Sequence, residues 1–102
     1  MFIGKVTGNV VSTQKIGSVI GKKMLLIDAM SVKGDSPGQL VSTGRVAVAI
    51  DTLGAGEGEL VLVTQGSSAR LTDETKNVPT DAVVVGIIDA IQVGAQELYK
   101  KE

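Results

Sequence analysis

The chain has 102 residues, no cysteine, no histidine and a formal net charge of -1 from 10 basic and 11 acidic residues. This length predicts a single domain with a modest core, and the missing residue types exclude disulfides, thiolate nucleophiles, histidine bases and the usual zinc ligands. The near-neutral charge gives no electrostatic reason for binding nucleic acid or an anionic membrane.

The first half of the chain predicts three strands, because valine, isoleucine and threonine are abundant and glycines separate the apolar runs. Phe2–Thr13 alternates between polar and apolar residues, as a half-buried strand does. Lys23–Val32 is the second predicted strand. A polar segment with glycine and proline, Lys33–Gly44, is predicted to be a long loop before the third strand, Arg45–Ile50.

The second half predicts two more strands and one short helix. The fourth strand is Glu59–Gln65, which is followed by a polar segment. Ser67 or Ser68 can cap a short helix in that segment, and Pro79 prevents its continuation. The fifth strand, Ala82–Val93, is apolar on both faces for most of its length.

Five strands and one helix indicate an all-β fold, a small closed or nearly closed antiparallel barrel in residues 1–93. Residues 94–102 are predicted to form a polar tail, either a frayed helix or an arm that reaches a partner. Apolar outer faces on the second, fourth and fifth strands would leave a hydrophobic patch in water. We therefore expect self-association, with the small face of Ala47 and Ala49 allowing close approach between copies.

A run of glycines, Gly54, Gly56 and Gly58, stands between the third and fourth strands. It has neither the Lys-Ser/Thr of a phosphate-binding P-loop nor the spacing of a dinucleotide fingerprint, and a strand follows it rather than a helix. The run is therefore interpreted as a permissive turn, where a positive φ or close backbone approach is needed. The pattern leaves open what approaches the turn.

Few other side chains suggest chemistry. Asp28 and Asp89 interrupt apolar strands and could act as an acid/base pair, but positions at a barrel rim, paired with cations or backbone amides, explain them better. Arg70 could bind an anion, although a salt bridge is favoured. Ser67 and Ser68 have no histidine to activate them, so they are interpreted as helix caps rather than nucleophiles.

Four sequence blocks together carry a family resemblance. The blocks "GKVTGNVVSTQK", "KMLLID", "AIDTLGAGEGELVLVTQGSSAR" and "PTDAVVVGIID" run from Gly4 to Asp89. In this order they closely resemble the bacterial microcompartment vertex proteins known as the EutN/CcmL family. The resemblance implies an OB-like five-stranded barrel that assembles as a cyclic homopentamer.

The resemblance also implies a function. Such pentamers occupy the vertices of polyhedral shells whose facets are hexameric shell proteins and whose contents are cargo enzymes. Closure of the shell is then the function, so the chain is expected to be a structural protein, not an enzyme, without a cofactor or metal. It is expected in the cytoplasm, within the microcompartment shell, because the sequence has neither a secretory signal nor an apolar span of ~20 residues.

The resemblance can be carried over residue by residue. The positions that match the family's motifs are Thr13, Lys15, Asp51, Gly54, Ala55, Gly56, Gly58, Glu59, Gly66, Ser67, Ala69, Arg70, Pro79, Asp81, Gly86, Ile87 and Asp89. We expect the segment Gly54, Ala55, Gly56, Glu57 and Gly58 to lie at the five-fold axis or at a subunit seam, because its glycine density lacks the other features of a phosphate loop.

Three other functions are weighed against this one. An OB module that binds nucleic acid needs aromatic platforms and a basic groove, whereas this chain has one phenylalanine, one tyrosine and no tryptophan. A small enzyme would have to work without histidine or cysteine. A homo-oligomeric barrel unrelated to shells is the third alternative.

Overall fold

The fold was analysed in a computed structural model, which describes residues 1–11, 16–17, 23–34, 38–66 and 81–101. These residues contain seven strands. Their bounds are β1 Phe2–Val10, β2 Lys23–Lys33, β3 Gln39–Asp51, β4 Leu60–Gln65, β5 Ala82–Ile87, β6 Ala90–Val93 and β7 Gln96–Lys100. In the described part of the chain, no helix is long and apolar enough to cross a membrane.

Five of the strands form a closed barrel in the order β1, β2, β3, β5, β4. All neighbours are antiparallel except β3 and β5, which run parallel and are paired at Ile50 and Val83. The predicted five-stranded barrel is confirmed, with this parallel closure as a difference from the expected antiparallel one. The predicted helix between the fourth and fifth strands falls on residues 67–80, outside the described residues.

The barrel interior is built from alternate residues of each strand, as the two-residue period of a strand requires. Its buried members are Val6, Leu25, Ile27, Ala49, Ala55, Val61, Val63, Ala82 and Val84. Phe2 and Ile87 pack against this cluster from its edge. Each larger aliphatic side chain that leaves water here contributes about 1.5–3 kcal/mol to folding.

Gly4 allows β1 and β2 to approach closely. A Cβ atom at this position would collide with Cγ2 of Ile27, a side chain that is fully buried. Since Ile27 is surrounded by the core, it has little room to move away. Packing against β2 therefore requires glycine at position 4.

The hairpin of β2 and β3 extends beyond the barrel. An irregularity separates the pair Asp28 and Val46 from the pair Met30 and Ser42. Within it Gly44 has a φ of 81°, and the Ser42 hydroxyl donates to Asp28 Oδ1 over 2.8 Å. This bulge divides the barrel part of the hairpin from a projecting ribbon, which contributes to overall extents of 46 × 24 × 24 Å.

Two element predictions require correction. The predicted loop Lys33–Gly44 is too long, because β3 already begins at Gln39 and the bulge masks the strand pattern. The predicted strand Ala82–Val93 is interrupted at Ile88 and Asp89, where the chain leaves the barrel.

The C-terminal residues form a strand rather than a frayed helix. β7 pairs with β6 in a separate two-stranded sheet, and their turn is at Gly94 and Ala95. The expected boundary between residues 93 and 94 therefore falls at the turn of this hairpin.

On β3 the alanine face points into the barrel and the valine face points outward, whereas close approach between copies through the alanines would need the opposite orientation. Ala49 is fully buried inside the barrel, so the small face points inward. Val46 and Val48 point outward and are exposed, whereas Ile50 packs with Val83. The expectation that Ala49 offers a small surface to a partner copy is therefore wrong, because Ala49 is buried within the subunit, whereas Val46 and Val48 are the exposed residues of this part of β3.

Candidate assembly site around the glycine loop

The residues from Gly54 to Gly58, called here the glycine loop, are flanked by two acidic side chains. Asp51 ends β3, and its side chain is completely buried. Its Oδ1 accepts the N–H of Leu53 over 2.9 Å, and its Oδ2 accepts the N–H of Ala55 over 2.8 Å. A buried carboxylate that accepts two backbone amides fixes the path of the chain between them.

Lys23 completes the first end of the loop. Its ammonium donates to the carbonyl oxygen of Ala55 over 3.0 Å and lies 4.0 Å from Oδ2 of Asp51. The Lys23 side chain is half exposed, and the hydrogen bond to the carbonyl is the shorter and more specific of the two contacts. β2 is thereby linked to the glycine loop.

Glu59 holds the second end of the loop. Its Oε1 accepts the N–H of Gly56 over 2.6 Å, and its Oε2 lies 2.7 Å from the ammonium of Lys101. The two carboxylates together thus accept three amides of this short segment, those of Leu53, Ala55 and Gly56. The motif has an internal structural role before any partner is considered.

The glycines of the loop have different roles. Gly54 and Gly58 have φ values of 86° and 88°, which side chains rarely adopt. Gly56 has no positive φ, but a Cβ there would lie 3.3 Å from Oε1 of Glu59. The permissive turn predicted from the sequence is confirmed at Gly54 and Gly58.

Backbone contacts and one side chain fasten the loop to the barrel. The N–H of Gly58 donates to the carbonyl of Val6 over 2.8 Å, and the N–H of Val6 donates to the carbonyl of Glu59 over 3.0 Å. Ala55 points into the core and is fully buried. Leu53 and Glu57 remain exposed beside these anchors, so the loop presents both to solvent.

The Lys101–Glu59 pair shifts both pKa values. The hydrogen bond from Lys101, aided by the one from the Gly56 amide, lowers the pKa of Glu59 below its ordinary 4.5. The same bond raises the pKa of Lys101 above its ordinary 10.5. The ion pair therefore contributes its full stabilisation to the folded state at pH values between the ordinary pKa values of Glu59 and Lys101. It is lost as the pH falls through the depressed pKa of Glu59 or rises through the raised pKa of Lys101.

This titration predicts a pH-dependent difference between the wild type and Lys101→Gln. The difference in urea midpoint is expected to be constant from about pH 5 to about pH 9 and to shrink below about pH 4.5, because protonated Glu59 has no charge to pair. Urea titrations of both proteins across this range measure it. A difference that grows on acidification would contradict the assignment.

The other predicted positions lie away from the loop or outside the described residues. Gly66, with a φ of 68°, ends β4, and its N–H donates to the carbonyl of Asp81. Gly86 packs beside Leu62 on β4, and the carbonyl of Asp89 accepts the N–H of Lys101. The positions outside the described residues are Thr13, Lys15, Ser67, Ala69, Arg70 and Pro79.

An apolar surface lies on the outward faces of β3 and β5. It consists of Val46, Val48 and Val85, which are 58, 46 and 38 % exposed, and we call it the valine strip. The strip flanks the pair Ile50 and Val83, where the two strands meet. Because these three exposed β-branched residues lie on adjacent strands and on one face, this face is the candidate contact surface for another chain.

Two residues of the site escaped the sequence analysis. Lys23 and Lys101 hold the two ends of the glycine loop, but each comes from a distant part of the chain. The only related feature in the sequence is the pair of acidic residues that flank the glycines, because carboxylates commonly pair with cations. Which lysines lie close to them depends on how the barrel closes and on where the C-terminal hairpin returns.

Comparisons with known proteins identify relatives over nearly the whole chain. The family described as "Ethanolamine utilisation protein EutN/carboxysome" matches residues 1–89. The bacterial microcompartment shell vertex protein PduN of Salmonella typhimurium is 50% identical over 91 residues, which cover 89% of this chain and 98% of that protein.

Solved structures agree with the barrel. CcmL of Gloeobacter violaceus has a TM-score of 0.84 at 44% identity and covers 99% of this chain and 98% of its own. GrpN, a pentameric microcompartment shell protein from Rhodospirillum rubrum, has a TM-score of 0.74 at 42% identity, and the match covers 90% of this chain and 96% of GrpN. Because the family matches residues 1–89 and relatives share both sequence and fold over nearly the whole chain, the chain belongs to the EutN/CcmL family.

Proposed function

We propose that this chain is a vertex subunit of a bacterial microcompartment shell and acts as a cyclic homopentamer. The observation that carries the proposal is the valine strip, an uncovered apolar surface on a chain whose relatives include shell vertex proteins. GrpN, which shares the fold at 42% identity, is a pentameric shell protein. The proposed role is structural closure of the shell, without bond chemistry.

A ring explains why the apolar surface is on one side of the barrel. In a cyclic pentamer each subunit meets the next through two different surfaces, so one apolar strip covers a dissimilar patch of its neighbour. A stable interface buries about 800 Å² per partner. The subunit's radius of gyration is 14.4 Å, above the roughly 13 Å of a compact domain of this length, and the projecting ribbon adds surface for such contacts.

The glycine loop is proposed to lie at the subunit seam or five-fold axis. Leu53 supports this, because it is exposed directly beside the loop and has no packing role in the barrel core. Gly56→Val would be an ambiguous test, since an added Cβ already approaches Glu59 within the same subunit. A surface change at Leu53 avoids that problem.

Leu53→Asp is therefore expected to weaken the pentamer by about tenfold or more in each association constant, because a charge would enter a partly desolvated seam. The free energy of unfolding of the dissociated subunit should change by less than about 0.5 kcal/mol, as at other exposed positions. Sedimentation across a dilution series measures the first quantity, and urea titration the second. An unchanged association constant would show that the glycine loop does not lie at the subunit seam.

Native mass spectrometry tests the pentamer directly. Five copies of the 10.5 kDa chain are expected as the main species at micromolar concentration. A monomer or dimer under the same conditions would contradict the proposal.

The nucleic-acid alternative has less support. Phe2 packs against the core, and Cζ of Arg45 lies 5.4 Å from the centre of the Phe2 ring. The ring therefore does not offer a free face on which a base could stack.

The partners proposed for the pentamer are hexameric shell proteins, with cargo enzymes inside. Coexpression of such hexamers with and without this chain tests closure. Electron microscopy should show closed polyhedra with the chain and open sheets, tubes or gapped particles without it, because a flat hexameric layer needs five-fold points to close. Equal closure in both cases would overturn the proposed role.

A further inference from the structure

The two ends of the hairpin of β6 and β7 lie together beside the barrel. The N–H of Ile88 still donates to the carbonyl of Leu60 over 2.9 Å, as the last link between β5 and β4. After the hairpin, the N–H of Lys101 donates to the carbonyl of Asp89 over 2.7 Å. These contacts bring the Lys101 side chain back to the side of the barrel that carries the glycine loop.

One carboxylate joins this hairpin root to the loop. Glu59 contacts Lys101 through Oε2 and the Gly56 amide through Oε1, over 2.7 and 2.6 Å. The two oxygens belong to one rigid planar group, so a change in the position of Lys101 alters the acceptor of Gly56. The side chains of Glu59 and Lys101 are 23 and 38 % exposed, so solvent screens the pair only in part.

Elsewhere the hairpin is packed incompletely against the barrel. Tyr99 of β7 faces a cleft of about 220 Å³ whose other lining residues include Lys5, Leu60 and Gly58 of the glycine loop. Open space of this size means that few dispersion contacts hold the hairpin at this point. The Lys101–Glu59 ion pair is therefore a direct polar contact between the root of this hairpin and the residue that directly follows the glycine loop.

We propose that the hairpin β6–β7 is a strap that holds the glycine loop in its folded conformation through the Lys101–Glu59 ion pair. Release of Lys101 frees Oε2 of Glu59, loosens the bond from Gly56 to Oε1 and lets this end of the loop open. Asp51 and Lys23 continue to hold the other end. Because the proposed function puts the loop at a subunit seam, the strap also sets the shape of that seam, a consequence that rests on the proposed function.

Amide hydrogen exchange in the full chain tests the strap. In Lys101→Gln the Gly56 amide is expected to exchange about tenfold faster than in the wild type, whereas amides of the β2–β3 pairing within the barrel should keep their rates. The matched control is Lys100→Gln, an exposed lysine that ends β7 directly before Lys101, which should leave Gly56 unchanged. Equal Gly56 rates in Lys101→Gln and the wild type, or equal acceleration in both variants, would overturn the proposal.

Two further measurements separate a charge-dependent strap from a general loss of packing. In Glu59→Gln the amide of Lys101 should exchange several-fold faster, because the ion pair that fixes the hairpin root is gone. Added salt should accelerate Gly56 exchange in the wild type but not in Lys101→Gln. An unchanged Lys101 rate in Glu59→Gln, or a Gly56 rate in the wild type that does not respond to salt, would contradict the strap. These exchange rates are measured on dissociated subunits, so the result does not depend on whether the pentamer exists.

Discussion

The double change Val46→Asp and Val48→Asp is expected to convert the pentamer into folded monomers at micromolar concentration. Both valines belong to the exposed strip on the outer face of β3. In the assembled ring their replacements would place unpaired carboxylates in a desolvated contact. That costs about 3 kcal/mol or more per interface, over a hundredfold in each association constant. Native mass spectrometry and sedimentation measure the loss.

The control for this prediction is the double change Val46→Thr and Val48→Thr. Threonine keeps the shape and the β-branching of valine and adds no charge, so it tests the same two positions without introducing carboxylates. This uncharged variant should keep most of the pentamer. A pentamer that survives the two aspartate changes, with the subunits folded by circular dichroism, would show that the valine strip is not the interface.

Asp51→Ala is expected to have the largest effect on the subunit itself. The change leaves the amides of Leu53 and Ala55 without their acceptor, and the Ala55 amide is buried. Loss of two charge-assisted hydrogen bonds at a buried site predicts a decrease of about 3 kcal/mol in the free energy of unfolding. Urea titration at a fixed protein concentration measures it.

Glu57→Ala is the matched control, because Glu57 is an exposed acidic residue in the same loop. Its replacement should change the free energy of unfolding by less than about 0.5 kcal/mol. Asp51→Asn should fall between the two, since an amide keeps one acceptor oxygen and turns a donor toward the other N–H. Equal stability of Asp51→Ala and the wild type would refute the role assigned to this carboxylate.

The barrel was predictable from the sequence because its strands have strong local signals. β2 and β4 are apolar runs rich in β-branched and aliphatic residues, and turn residues bound both. The glycine motif was also predictable as a turn, since a strand follows it. What the motif does within the subunit was not predictable, because the acceptor roles of Asp51 and Glu59 depend on three-dimensional placement.

Other features depended on contacts between distant residues. The bulge near Gly44 hides the start of β3, because a polar segment with an interior glycine resembles a loop. The hairpin β6–β7 escaped prediction since its second strand is polar and its apolar first strand continues the pattern of β5. The inward orientation of Ala49 on β3 was not predictable either, because it depends on how β3 joins β2 and β5 in the barrel.

The inward orientation of Ala55 has a practical consequence for anyone who redesigns this protein. Gly54 and Gly58 are restricted by their φ values, Ala55 by the core and Gly56 by the nearby carboxylate. Only Leu53 and Glu57 remain as editable positions on or directly beside the loop. Changes at either site preserve the backbone geometry of the segment, but a redesign that must keep the pentamer leaves Leu53 uncharged, because a charge there is expected to weaken association.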